Sequence, residues 1–126
     1  MFDFGLAKEL KAEFKVGVDQ YTGRKEIGSR RYMAPEVYGS DAYGLPADVF
    51  SFTIVFWQLM SFQTPCKGLD MEAHANEVYV KKRRPAIKMK WPRSLKVMIA
   101  KGWADSPSRR PKMNDCLRTL DDYLRS

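Results

Sequence analysis

The chain is poor in the residues that most often carry metal and redox chemistry. It has one histidine and two cysteines in 126 residues. Cys66 and Cys116 match no metal-ligand spacing and suggest no disulfide framework, so they read as two reduced thiols. His74, the lone histidine, stands on a mostly polar stretch and reads as a surface residue. Long apolar runs are missing as well. The longest, Val49 to Met60, includes Ser51, Thr53 and Gln58. It is too short to span a bilayer and reads as a buried helix, so no membrane partner is expected. The first residues include Asp3 and Lys8 with no apolar stretch, which is not a secretory signal. The expected compartment is the cytoplasm or the nucleus. There is no internal repeat and no low-complexity tract, and none of the eight glycines forms a G-x-G-x-x-G phosphate loop.

What is present suits one compact domain. Hydrophobic residues are 44% and charged residues 29% of the chain. A chain of this length buries roughly two-thirds of its unfolded surface. Net charge is +7, and it is local. The stretch from Lys81 to Arg93 holds seven Lys or Arg and no acid; without it, 15 basic residues face 15 acidic ones. Such a run can serve nuclear import or an anionic partner. The favoured reading is a solvated connector between two helices. Nucleic-acid binding through this run and Trp91 is a weaker reading, which strong salt dependence would support.

Periodicity predicts a mainly α fold. Residues 6–33 carry Gly17, Gly23 and Gly28, many charges and no sustained apolar period, and read as a long mobile loop. Pro35 can open a short helix through Val37 and Tyr38. From Ala47 to Ser61 apolar side chains fall on all sides, which predicts a central helix needing cover in several directions. Three helices follow. Glu72 to Lys82 is mostly polar; Ser94 is the expected N-cap of the next, with Leu95, Met98 and Ile99 on one face. The last carries Met113, Cys116, Leu117, Leu120, Tyr123 and Leu124 at spacings of three and four, just after Pro111.

Short motifs then occur in a fixed order. Asp3-Phe4-Gly5 opens the chain, and Gly28-Ser29-Arg30-Arg31-Tyr32-Met33-Ala34-Pro35-Glu36 follows. Ala47-Asp48-Val49-Phe50-Ser51-Phe52 leads into Trp57, Arg84-Pro85 comes next, and Trp103 to Pro111 fits W-x-x-[DNS]-P-x-x-R-P. One tripeptide alone would be weak: at roughly 5% per residue type it turns up in about one or two of a hundred such chains. Five segments in order are not.

Together these segments resemble a protein kinase domain from its Asp-Phe-Gly motif onward, with the flavour of the tyrosine-kinase-like group of Ser/Thr kinases. The resemblance covers nearly the whole chain. It implies an activation segment over 1–36 and a helical C-lobe over 37–126. Asp3 would hold the magnesium that bridges ATP phosphates, Phe4 would pack in the core, and Gly5 would allow the turn that swings the Asp. Ser29 and Tyr32 would form the substrate loop and point to Ser/Thr specificity. Glu36 would pair with Arg110, whose planar fork suits a carboxylate. Asp48, favoured at a helix start by the dipole, would also anchor the catalytic loop. Tyr21 and Thr22 are candidate phosphorylation sites, with Arg24 and Lys25 near enough in sequence to meet a phosphate.

The same resemblance defines what these residues do not contain. The family places its strand Lys, helix Glu and H-R-D-x-x-x-x-N loop before the position of Asp3, so the catalytic base is expected upstream. The expected function is part of an ATP-dependent protein kinase acting on protein Ser/Thr, with the chain alone inactive and an apolar patch left exposed. The alternative is a non-catalytic, kinase-derived interaction module. Thr53, Gln58, Cys66 and Gly102 depart from the family pattern, where Gly, an acid, an aromatic and Cys are usual, and mark a divergent member.

Overall fold

A computed structural model describes the backbone of residues 15–17, 20–22, 30–39 and 42–125, and the side chains of 31–38 and 44–125. Three short strands form one antiparallel sheet: β1 (Lys15–Gly17) pairs with β2 (Gln20–Thr22), and β2 with β3 (Ala42–Tyr43), which follows the first helix in the chain. Tyr21 lies opposite both Lys15 and Tyr43. The stretch expected as an unbroken loop therefore contains a strand pair. Three-residue strands are too short to leave a periodic signal.

The rest is helical. α1 (Pro35–Gly39) starts at its proline, which the missing N–H allows. α2 (Leu45–Ser61) is the central helix. It begins two residues before the expected point because Pro46 suits the first turn. Its Ala47, Phe50, Ile54 and Trp57 join Ala34, Val78, Trp91, Ile99 and Trp103 in one core cluster. Its Val49 belongs to a second, with Leu95, Met98 and Cys116. α2 is thus buried against α4 (Arg93–Gly102) and touches α5 (Met113–Arg125) through Cys116. Burying a side chain such as Phe50 stabilises by about 1.5–3 kcal/mol.

Two further helix starts differ from expectation. α4 begins at Arg93 behind Pro92 and has no side-chain cap, so Ser94 lies inside the helix and is not its N-cap. Pro92 fixes the entry conformation instead. The mostly polar segment begins earlier, at α3 (Met71–His74), where the Asp70 carboxylate accepts from the Ala73 N–H at 2.8 Å. It then widens into a π-helical turn over Ala75–Val80, closed by the Lys81 N–H on the Asn76 carbonyl at 2.9 Å. No helix among the described residues is long and apolar enough to cross a membrane.

Candidate functional site

The stretch before Ala34-Pro35-Glu36 is fastened by three hydrogen bonds from two elements. Ser51, nearly two turns into α2, donates its hydroxyl to the Tyr32 carbonyl at 2.6 Å. Tyr32 donates its own hydroxyl to Gln58 Oε1, two turns further along α2, at 2.5 Å. From the π-helical turn, the Tyr79 hydroxyl donates to the Met33 carbonyl at 2.9 Å. Helical spacing explains the first two: Ser51 and Gln58 are seven apart, so they share one face. Gln58, noted above only as a departure from an acid, has a use here. An amide oxygen accepts from Tyr32 without placing a charge in a half-buried position.

The end of the loop is joined to the far end of the chain by one ion pair. Arg110 Nη1 and Nη2 reach Glu36 Oε2 and Oε1 at 2.8 and 2.9 Å. The Arg110 side chain has no exposed surface and that of Glu36 has 17%. The rest of the guanidinium is also used: Nε donates to the Ala104 carbonyl at 2.8 Å and Nη1 to that of Pro46 at 3.0 Å. A bidentate geometry with the remaining donors satisfied is what a buried ion pair needs to offset desolvation.

Arg84 forms the second half of this joint, a role that sequence reading missed. Its guanidinium lies over the Phe50 ring, 5.1 Å from the centroid, as that of Arg110 does at 5.0 Å. Its Nε donates to the Trp103 carbonyl at 2.8 Å and its Nη1 to that of Val78 at 2.9 Å. It thereby ties the π-helical turn to the end of α4. Burial holds its guanidinium below the ordinary value; Asp105 at 4.0 Å opposes that shift and the like charge of Arg110 adds to it. The only sequence signal was the Arg84-Pro85 dipeptide in its place in the motif order.

The other predicted residues fall out differently. Asp48 is exposed in the first turn of α2, and no hydrogen bond reaches it among the described residues. Loss of hydration around its carboxyl raises it above the usual carboxylate value. Asp3, Phe4, Gly5 and Ser29, with Arg24 and Lys25, lie outside the described residues. Tyr21 and Thr22 sit on β2, and their side chains are likewise outside. No group of three His, Cys, Asp or Glu positioned for a metal ion occurs among the described residues.

His74 corrects an expectation: it is 4% exposed and not a surface residue. Its ring meets the edge of Tyr79 at 5.4 Å between centroids, so its apolar body packs inward from an otherwise polar segment. Both cysteines are free thiols, and burial pushes each above its ordinary value, which suits inert packing roles. In the basic run, Lys81 and Arg83 meet Glu77 at 3.3 and 3.1 Å, and Lys82 meets Asp105 at 3.4 Å. With Arg84 buried in the joint, four of the seven charges are engaged within the chain, which fits a connector.

The family model described as protein tyrosine and serine/threonine kinase matches residues 1–120. The dual specificity protein kinase shkB of Dictyostelium discoideum is 40% identical over 111 residues, covering 86% of this chain and 16% of that protein. Serine/threonine-protein kinase 12 of Arabidopsis thaliana is 33% identical over 125 residues, covering 97% and 26%. Mitogen-activated protein kinase kinase kinase 11 of Homo sapiens is 32% identical over 119 residues, covering 94% and 13%. The chain therefore spans about a quarter or less of the length of these relatives.

Proposed function

The chain belongs to the protein tyrosine and serine/threonine kinase family, and from that premise we propose that it is the C-terminal part of a kinase that transfers the γ-phosphate of ATP to Ser or Thr of a protein substrate. The observation that carries this reading is the Glu36–Arg110 fork, which holds the end of the substrate loop against the helical body. Phosphoryl transfer needs positioning and charge stabilisation more than covalent help from the protein. The joint and the three loop anchors supply positioning. Residues 1–36 act as the activation segment and 37–126 as the helical lobe. ATP and magnesium supply the transferred group and its charge neutralisation when bound, and Asp3 is the residue assigned to the metal. The catalytic base belongs to upstream sequence, so these 126 residues by themselves are inactive. Cytoplasmic or nuclear residence goes with this reading.

The test starts with the transcript upstream of the Met1 codon. An in-frame extension encoding a Gly-rich loop, a strand Lys and H-R-D-x-x-x-x-N provides the full-length protein to assay with radiolabelled ATP and Ser, Thr and Tyr peptides. We expect label on Ser or Thr, abolished by Asp3→Asn. Undiminished transfer in that variant would overturn the assignment of Asp3. A stop codon close upstream would instead leave the non-catalytic interaction module.

A further inference from the structure

The π-helical turn Ala75–Val80 has a consequence for the substrate loop. An α-helix turns about 100° per residue, so residues five apart stand about 140° apart and cannot share a face. Here His74 and Tyr79, five apart, are in edge-to-face contact, and both turn inward. The wider π-helical turn, which the Lys81 N–H closes on the Asn76 carbonyl, is what lets them share a side. Such turns are rare and concentrate at functional positions. This one aims a single hydroxyl, that of Tyr79, at the Met33 carbonyl, 2.9 Å away and 46 residues back in the chain. The ring is held on two more sides: it stacks on Tyr38 of α1 at 4.7 Å and meets His74. Arg84 fixes the turn from its C-terminal end through the Val78 carbonyl.

We propose that Tyr79 is a positioning residue for the peptide substrate, acting through the Met33 carbonyl. This rests on the kinase reading above. Ser51 and Gln58 hold Tyr32 from α2. Tyr79 holds the next residue from a different element. The two grips together define where the loop presents itself to a peptide, and loss of one leaves the loop free to rotate about the other. Tyr79 touches neither ATP nor the reacting atoms, so its effect falls on peptide binding alone.

Tyr79→Phe keeps the ring and both ring contacts and removes only the hydroxyl. In the full-length kinase the peptide KM should rise about threefold to tenfold, the worth of one hydrogen bond, with kcat and the KM for ATP unchanged. In the same protein, amide hydrogen exchange should quicken at Val37 and Tyr38, whose N–H groups bond the Ala34 carbonyl, and stay constant in α4 and α5. Unchanged exchange, or faster exchange with an unchanged peptide KM, would overturn the proposal. Should the wild-type protein transfer no phosphate, the kinase reading falls, and the exchange comparison still decides whether Tyr79 holds the loop.

Discussion

Around Phe50, two guanidinium groups taken out of water are answered by a carboxylate fork, an acid at 4.0 Å and backbone carbonyls. Along the outer sides of α2 and α5 the opposite holds. Leu59, Phe62, Leu117 and Leu124 are 65, 95, 65 and 79% exposed, although both helices have buried residues elsewhere. A polar joint must be finished wherever it is buried, because each unpaired group there costs its full desolvation. An apolar face loses only about 25 cal/mol per Å² left wet, so a helix can remain partly uncovered until something else packs on it. The joint is complete within these residues. The outer side of α2 is where the sequence reading expected cover to be missing; that of α5 it did not foresee.

Arg110→Ala tests the completed side and should show the largest effect. It leaves Glu36 mostly out of water with no partner, and strands the carbonyls of Ala104 and Pro46. We expect a loss of about 3–5 kcal/mol, read as a large fall in melting temperature. Arg110→Lys should recover only part of it, because an ammonium cannot fork. An unchanged melting temperature in Arg110→Ala would mean that the joint does not hold the fold together.

The central helix and the last helix were legible because their apolar residues repeat over many turns. Glu36 and Arg110 were legible only through motif order, since 74 residues separate them and no local pattern joins them. What was missed depends on three-dimensional offset. The contact of His74 with Tyr79 goes with one π turn, which changes which residues share a face and leaves no trace in composition. Arg84 looked like one more charge in a basic run, yet its side chain is 12% exposed and bonded to three carbonyls. The metal role that the family resemblance implies for Asp3-Phe4-Gly5 falls outside the described residues.

Thr53 and Gly102 sharpen the comparison from inside the core. The sequence reading marked each as a departure from the resembled pattern, and the structure brings them face to face. A Cβ at Gly102 would overlap Thr53 Oγ1 and come within 3.1 Å of its Cβ and Cγ2. Thr53 cannot swing away freely, since its hydroxyl donates to the Val49 carbonyl at 2.7 Å. The extra bulk on α2 is matched by missing bulk on α4. Gly102→Cys should therefore cost about 1–3 kcal/mol by overpacking. Adding Thr53→Gly should recover much of that, and a double-mutant cycle reads the difference as coupling of about 1 kcal/mol or more. Additive losses would show that the two departures are independent.

Phe62 offers the smallest effect, and one of opposite sign. It ends α2 in the left-handed region at φ 58° and ψ 27°, with its N–H on the Gln58 carbonyl at 2.9 Å. For a residue with a Cβ that conformation costs roughly 1–2 kcal/mol, and glycine is the usual choice at such a helix end. A 95% exposed ring returns almost no burial to offset the strain. Phe62→Gly gives back part of the gain through the greater freedom of glycine in the unfolded chain, roughly 0.5–1 kcal/mol. The balance is a stabilisation of about 0.5–1 kcal/mol, visible as a small rise in melting temperature in these 126 residues. In the full-length protein the sign discriminates. If the ring stays wet there, the same rise appears. If another segment covers it, the lost contact of a buried aromatic outweighs the relieved strain and Phe62→Gly becomes destabilising. A change of sign between the two proteins would show that the exposed end of α2 is covered by sequence beyond these residues.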